Sequence, residues 1–524
     1  MKKIILLFST IFIHLITYSQ FTIDWQQSYG GMENEEAYDI VETDGGFFLG
    51  GVSSSTDGQI TCATQNAFYW MLKIDYNGNI LNQWCYNNYS VMRLLKAKGD
   101  NPYFYMVGDV YEGIKNLLVV KFNQNGDFLW EKSVGSSTGV FNYLIDGTAT
   151  NDGGVVATSC IHAGGGDVTN YYGNWDGWIT KFDSIGTLQW ECTIGSSGYE
   201  DAICITELSD NGYLVGLHGS PNLDNGNIKC SAFSTDYTDI IIAKIDSTGN
   251  LQWCECLGGS NNEGISEIIE ADNGYLIAGT TSSRDGDVLN GGLHGDFSKD
   301  IWLIKVDFSG NIIWQKCFGG TKTDYPHRLF RTTDNGFIIF ASTDSWDCDL
   351  QGNIPHSNPS IWIFKIDSEG ELQWQKCIQS TAREEIVNGV IIHSDNKFTL
   401  AGTMTHSPNY DVNCSNFDSG SRENFYVAGI SITEVSTPER SLNENKFNIY
   451  PVPSNGTVTI EIPEQPEHDP FTIEFIDLKG IIRKSVTQPQ SIGHYDISHL
   501  PPGMYMVRFK NRIGVVYKKV LLSR

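Results

Sequence analysis

The chain has 524 residues, of which 40% are apolar and 12% aromatic, and this composition excludes a disordered protein and allows more than one domain. Lys and Arg number 35 against 62 Asp and Glu, so the formal charge is −27. A field of that sign repels nucleic acid and anionic membrane surfaces, so we expect neither as a partner.

The N-terminus has the pattern of a secretory signal peptide. Met1-Lys2-Lys3 supplies the positive start, and residues 4–17 form an apolar run that is too short to span a bilayer comfortably. Small residues then precede Gln20 at the usual cleavage positions. We therefore predict a signal peptide at 1–19, the alternative being a buried N-terminal strand or helix.

An internal repeat fills the middle of the chain. A tryptophan recurs at spacings of 59, 46, 60, 63, 61 and 60 residues, and a Lys-x-Asp/Asn-x-x-Gly turn precedes six of the seven. The repeat tryptophans are Trp25, Trp84, Trp130, Trp190, Trp253, Trp314 and Trp374. Repeats of this length are typical of propeller blades, whereas solenoids use shorter units.

Each repeat contains four strand signals. In one of them, the segments 265–271 and 275–281 flank an Asp-Asn-Gly hairpin turn. After a long polar loop, 301–306 and 311–317 flank the Asp307–Gly310 turn. This pattern predicts a four-stranded antiparallel blade.

The two ends of the repeat region complete each other. Segment 21–28 has the sequence of a fourth strand, and 425–432 has that of a third strand with no tryptophan after it. Their pairing would close a ring and remove exposed sheet edges. We therefore predict an all-β fold, with a seven-bladed β-propeller over residues 20–432. The turn and its tryptophan resemble tryptophan-docked propeller repeats of the pyrroloquinoline-quinone type, a resemblance that carries over no cofactor.

The segment after residue 446 has its own motifs, and a polar linker at 433–446 precedes it. The motif residues are Tyr450, Pro451, Pro453, Gly503, Tyr505 and Lys519. At these positions, residues 447–524 resemble the type A C-terminal sorting domain of the type IX secretion system of Bacteroidetes. Without that resemblance, the short strands and turns predict a small Ig-like β-sandwich, and a carbohydrate-binding or adhesion domain is the alternative.

The resemblance implies partners and a location. An outer-membrane translocon would recognise the domain, and a sorting peptidase would cut the linker. The protein would travel through the periplasm and then be released, or be attached to surface lipopolysaccharide. We therefore expect a secreted or cell-surface protein.

Cysteines number 12, an even count that suggests disulfides in an exported protein. Cys62 and Cys230 lie in loops, and Cys85 and Cys254 each follow a repeat tryptophan directly. We predict the disulfides Cys62–Cys85 and Cys230–Cys254, with buried free thiols as the alternative.

Acidic residues recur four positions after the Gly-Gly-like turn between repeats: Glu35, Glu200, Glu263, Asp324 and Glu384. They would ring the mouth of the central channel. A cation site is one interpretation, but a residue repeated in most blades fits a structural role better, accepting backbone N–H bonds between blades.

The long loops between the second and third strands hold the ligand candidates, since loops of this length usually have a function or are mobile. Candidate ligand-binding residues are Trp175, Trp346, Tyr171, Tyr172 and His294. Asp285 and Asp287 offer oxygen ligands for calcium, although such Asp-Gly pairs are often bare turns.

No catalytic motif and no cofactor can be identified. We therefore expect a non-enzymatic propeller that binds an extracellular carbohydrate or protein on its long-loop face. A secreted polysaccharide hydrolase that uses acids at the channel mouth is the alternative.

Overall fold

The computed structural model describes residues 19–64, 68–99, 101–111, 115–137, 143–220, 225–233, 236–288, 293–295, 298–350, 359–378, 386–404, 423–434, 448–450, 454, 456–461, 472–476, 482–487, 492–510 and 515–523. The chain divides into two compact units, Met1–Glu434 and Val435–Arg524. The described elements of both units are β-strands.

The first unit contains seven four-stranded antiparallel sheets within its described residues. Sheet one comprises β2 (Glu35–Thr43), β3 (Gly46–Ser53), β4 (Phe68–Ile74) and β5 (Ile80–Tyr86). Sheet two comprises β6 (Tyr89–Lys96), β7 (Tyr103–Tyr111), β8 (Lys115–Asn123) and β9 (Phe128–Val134). Sheet three comprises β10 (Tyr143–Ala149), β11 (Val155–Ile161), β12 (Asp176–Phe182) and β13 (Leu188–Ile194). Sheet four comprises β14 (Tyr199–Glu207), β15 (Tyr213–Ser220), β16 (Asp239–Ile245) and β17 (Leu251–Leu257).

The remaining three sheets repeat the pattern. Sheet five comprises β18 (Glu263–Ala271), β19 (Gly274–Thr281), β20 (Asp300–Val306) and β21 (Ile312–Phe318). Sheet six comprises β22 (Asp324–Arg331), β23 (Phe337–Thr343), β24 (Ser360–Ile366) and β25 (Leu372–Ile378). Sheet seven comprises β26 (Ile386–Ser394), β27 (Lys397–Met404), β28 (Asn424–Glu434) and β1 (Ser19–Tyr29).

The sheets are arranged as a β-propeller. Each first strand contacts the first strand of the next sheet, and β26 of sheet seven contacts β2 of sheet one. The third strands β12, β20 and β24 are buried along their whole length, while the fourth strand β21 is largely half-buried or exposed. The first strands therefore lie at the centre and the fourth strands at the rim.

The N-terminal strand completes sheet seven. β1 pairs antiparallel with β28, and Phe21 lies opposite Ile432 while Ser28 lies opposite Tyr426. The predicted pairing of these two segments is confirmed. β1 begins at Ser19, the last residue of the predicted signal peptide.

The repeat tryptophan joins neighbouring sheets. Gly249, in the β16–β17 turn of sheet four, has a φ of +87°, and a Cβ added there would lie 2.7 Å from the ring of Trp190 in sheet three. The Trp190 Nε1 also donates to the Ser247 carbonyl of the same turn over 3.0 Å. The turn glycine thus gives the turn its left-handed conformation and leaves room for the indole.

The second unit has two antiparallel sheets within its described residues. One comprises β29 (Asn448–Tyr450), β30 (Thr457–Glu461) and β33 (Ile492–Asp496). The other comprises β31 (Thr472–Ile476), β32 (Ile482–Thr487), β34 (Gly503–Lys510) and β35 (Val515–Leu522). Residues from both, including Val458, Ile460, Phe475 and Val507, form one buried core. Among the described residues, no helix has the length and apolar character needed to span a membrane.

Candidate functional site

Four of the predicted mouth acids share one set of contacts. Each lies at the start of a first strand, is at most 2% exposed, and accepts a backbone N–H from the linker four residues earlier. The donors are Gly31 to Glu35 (3.0 Å), Ser196 to Glu200 (2.8 Å), Gly259 to Glu263 (2.9 Å) and Gly320 to Asp324 (2.9 Å). Hydroxyl groups engage the other oxygens, for example Thr281 Oγ1 on Glu263 over 2.7 Å. Glu384 lies outside the described residues.

A second set of buried acids, at the start of three third strands, lies near the mouth acids. Asp176, Asp239 and Asp300 begin the third strands of sheets three to five and are fully buried, and the Oδ1 atom of each has no hydrogen-bond partner among the described residues. Burial raises the pKa of Asp239 to about 7, and the nearby Glu263 adds to the rise. Burial likewise raises the pKa of Glu200 to about 7 and that of Asp324 to about 7.

Asp285 and Asp287, the predicted calcium ligands, accept hydrogen bonds from the linker between sheets four and five. Asp285 Oδ1 accepts the N–H of Ser260 over 2.8 Å, and Asp287 Oδ2 accepts that of Gly258 over 3.2 Å. Within the described part of the chain, no group of three or more His, Cys, Asp or Glu side chains is arranged to hold a metal ion. The two aspartates therefore hold the loop against the linker between sheets four and five.

The structure contains the predicted Cys62–Cys85 disulfide but pairs Cys230 with Cys256. The predicted Cys230–Cys254 disulfide is wrong, because Cys254 keeps a free thiol, and its Sγ accepts the N–H of Lys229.

The error comes from aligning the repeats on their tryptophan. In sheet one, Asn82 lies opposite the strand lysine Lys73, whereas in sheet four Trp253 occupies that position opposite Lys244. Trp84 is therefore shifted by two residues along its strand. Counted from the turn glycines Gly78 and Gly249, both bonded cysteines lie at the seventh position, so the glycine gives the correct register.

A charged belt crosses the channel, and the sequence analysis missed it. In every first strand, the pairing with the second strand shifts register. We define the belt as the first paired residue after the first such shift in each first strand. The belt residues are Asp39, Arg93, Asp146, Cys204, Glu267, Arg328 and Gly389. Arg93 bonds to Asp39 over 2.8 Å and also to Asp146, and Arg328 lies 3.4 Å from Glu267.

The strongest candidate for ligand binding is a cluster that we call the mouth cluster: Trp175, Tyr199, Asp201 and His218. Trp175 ends the β11–β12 loop, and its ring packs edge-on to Tyr199 with centroids 6.1 Å apart. Tyr199 stacks on His218 at 6.4 Å. Asp201 lies opposite His218 in the β14–β15 register. Only Trp175 among the four had been predicted.

Hydrogen bonds organise this cluster. Asp201 accepts from the Tyr199 hydroxyl and from the thiol of Cys160 on sheet three, and His218 Nε2 lies 3.7 Å from its carboxylate. Burial lowers the pKa of His218, against the pull of Asp201, so the imidazole is neutral at pH 7. The cluster therefore combines aromatic rings with a neutral imidazole.

The other predicted ligand residues are distributed over several loops. Tyr171 and Tyr172 share the loop of Trp175, with Tyr171 exposed and the Tyr172 N–H bound to Asp176 over 2.6 Å. Trp346 lies in the β23–β24 loop of sheet six, under the ammonium of Lys322 at 4.0 Å. His294, from the β19–β20 loop, bonds to Asp300 over 2.7 Å.

A groove of about 740 Å³ runs along the outer strand β21 and reaches Asp287 and Asp349. One residue that lines the groove, Trp314, is a repeat tryptophan, and its Nε1 donates to the Ser368 carbonyl over 3.1 Å. We assign this groove to the docking of sheet six on sheet five, because the same contact recurs in other sheets.

The sorting-motif residues occupy different environments in the second unit. Tyr505 is buried, and its hydroxyl donates to the Pro501 carbonyl over 2.7 Å. Tyr450 is 44% exposed, Gly503 begins β34, and Lys519 on β35 is exposed. Pro451 and Pro453 lie outside the described residues.

Comparison with known proteins gives a distant relative for part of the chain. The uncharacterized WD repeat-containing protein L264 of Acanthamoeba polyphaga mimivirus is 20% identical over 372 residues, which is 55% of this chain and 26% of that protein. The chain thus spans about a quarter of the relative's length.

Two solved structures are similar at low identity. YCF48 bound to D1 peptide has a TM-score of 0.39 and 9% identity, covering 78% of this chain and 99% of that one. The β-propeller domain of the Trilobed protease from Pyrococcus furiosus has a TM-score of 0.40 and 8% identity, covering 76% and 96%.

Residues 448–523 match the family model described as "Secretion system C-terminal sorting domain". The predicted sorting domain is confirmed by this match. The C-terminal segment is therefore a type IX sorting domain, which directs the chain to secretion or to the outer cell surface.

Proposed function

We propose that this chain is a secreted or cell-surface propeller of seven blades that binds an extracellular ligand, a carbohydrate or a protein, on its long-loop face. The tryptophan docking supports the resemblance to tryptophan-docked repeats, and the two-sheet second unit supports an Ig-like sandwich that is cut off after export. The residues that bind the ligand are Trp175 and the rest of the mouth cluster.

One observation carries this proposal: the mouth loses its symmetry at one position. Asp201 lies one residue after the recurrent acid, at the inner end of a first strand. The equivalent positions of the seven first strands hold Glu36, Ser90, Tyr143, Asp201, Gly264, Tyr325 and Ile386, which are six residue types in seven blades. A scaffold repeats its structural residues, so a position that varies this widely between blades is free to serve recognition.

The hydrolase alternative gains no support from the recurrent acids. Glycoside hydrolysis needs two carboxyl groups that act on the sugar. The described mouth acids are buried and accept backbone N–H groups.

A binding assay tests the proposal. The chain from Gln20 onward is applied to arrays of glycans and extracellular proteins, with Trp175→Ala as the test variant and Phe308→Ala as the control. Phe308 is an exposed aromatic residue in the β20–β21 turn. We expect Trp175→Ala to lose at least tenfold in affinity and the control to bind normally. No binding, together with activity on a polysaccharide, would favour the hydrolase.

A further inference from the structure

We infer that Lys299 binds the carboxylate of an acidic sugar, so that the ligand of the mouth cluster is a uronate-containing polysaccharide. This inference rests on the proposed function and names the ligand class of the same site. It follows from where Lys299 lies, what surrounds it, and what the neighbouring side chains offer.

Lys299 lies at the channel mouth, where sheet five meets sheet six. It directly precedes β20 of sheet five, and its carbonyl accepts the N–H of Asp324 over 2.8 Å, which fixes its backbone. Its Nζ lies 6.0 Å from the ring centre of Tyr325 in sheet six. Its positive charge also acts on His218 of sheet four. The ammonium therefore lies beside Tyr325 and within electrostatic range of His218.

Sheet five leaves space beside this ammonium. The position equivalent to Asp201 is Gly264, and a Cβ added there would have only Thr280 Oγ1 within 4 Å, at 3.4 Å. The side chains of Asp201 and Tyr325, on either side, therefore have no side chain between them at this level. A ligand entering from the mouth would meet Lys299 here.

The charge of Lys299 is uncompensated. No ion pair or hydrogen bond joins its Nζ to a carboxylate among the residues that the structure describes. Lys181, Lys244 and Lys365, by contrast, each have a carboxylate partner. An unpaired, half-buried ammonium at a binding surface favours an anionic ligand.

The surrounding groups favour a ligand whose carboxylate belongs to a sugar. Tyr325 is 42% exposed and offers a ring face on which a pyranose can pack. Asp201 already accepts from the Tyr199 hydroxyl and the Cys160 thiol, and Lys299 is the cationic donor left for an anionic ligand. The formal charge of −27 repels anions at long range, but at physiological salt this repulsion is screened beyond about 8 Å.

Affinity electrophoresis of the chain from Gln20 onward tests the inference, with polygalacturonate and its fully methyl-esterified, neutral form as probes. We expect tighter binding to the acid form, by at least tenfold. Lys299→Met should remove that preference, and Lys299→Arg should retain most of it. Lys322→Met is the matched control, because Lys322 lies over Trp346 in another loop, and it should bind as the wild type does.

The outcomes test the uronate assignment and the proposed function separately. Equal binding of both polymers, or an unchanged preference in Lys299→Met, overturns the uronate assignment and leaves the proposed function standing. Equally tight binding of polyglutamate overturns the sugar part, since the site would then recognise any carboxylate. If the wild-type chain binds no glycan or protein on the arrays, the proposed function itself fails.

Discussion

Arg93 and Asp146 form an ion pair between the first strands of sheets two and three. The same guanidinium bonds to Asp39 of sheet one, and the negative charge of Glu267 in sheet five also acts on it. A side chain that meets partners from both neighbouring sheets and the far side of the channel ties the centre of the ring together.

Replacing Arg93 with Met should therefore destabilise the propeller. The change leaves the buried carboxylates of Asp39 and Asp146 without their cation, and such losses cost about 3 kcal/mol or more. Urea unfolding measures the change. Arg331→Met is the control, because Arg331 and its partner Asp272 are more exposed, and its effect should stay below about 1 kcal/mol. Equal effects would contradict a special role for the belt.

The stability of the propeller should fall as pH rises from about 4 to about 7. Asp239 has a folded pKa of about 7, raised by burial and then by Glu263 and Asp287. The folded state thus holds a proton that the unfolded chain releases near pH 4, and this contribution, on the order of a few kcal/mol, is lost as pH passes through the folded pKa. Thermal unfolding measured from pH 4 to pH 8 shows the slope.

Asp239→Asn should flatten this slope and stabilise the protein at pH 8. Sheet seven already has a neutral amide, Asn424, at the equivalent position. Asp300→Asn is the contrasting variant, because Asp300 bonds to His294, and it should destabilise at pH 7. Parallel curves for Asp239→Asn and the wild type would show that Asp239 carries no proton in the folded state.

The Cys230–Cys256 disulfide should stabilise the propeller. Cys256→Ser opens a bond that closes a chain segment of 26 residues, and loss of such a bond costs about 3 kcal/mol. Cys254→Ser should leave the bond intact and change stability by much less. Peptide mapping of the unreduced protein identifies the partner of Cys230, and a Cys230–Cys254 peptide would refute this assignment.

Deletion of residues 447–524 should stop secretion without unfolding the propeller, since the two units have separate cores. We expect the truncated chain in the periplasm and the intact chain in the medium or on the cell surface, as measured by fractionation. Secretion of the truncated chain would refute the role of the sorting domain in export.

The sequence predicted the parts of the fold that repeat. The turn lysines and glycines mark six of the seven blades and the tryptophans mark all seven, because a docked turn recurs between neighbouring sheets, as Gly249 and Trp190 illustrate. The mouth cluster could not be predicted, because Asp201 and His218 gain their meaning from a pairing between strands that spacing alone does not give. The belt escaped notice because a strand irregularity re-aims Arg93 and Asp146, and no residue pattern marks it.

The pairing of β1 with β28 also sets an order of events during export. Phe21 leaves the ribosome among the first residues, but its partner Ile432 follows some 400 residues later. Sheet seven therefore cannot form until nearly the whole propeller is present in one compartment. A transport step that moved the chain as a thread would separate these two strands, while a step that moved the closed ring would need a passage as wide as the folded unit.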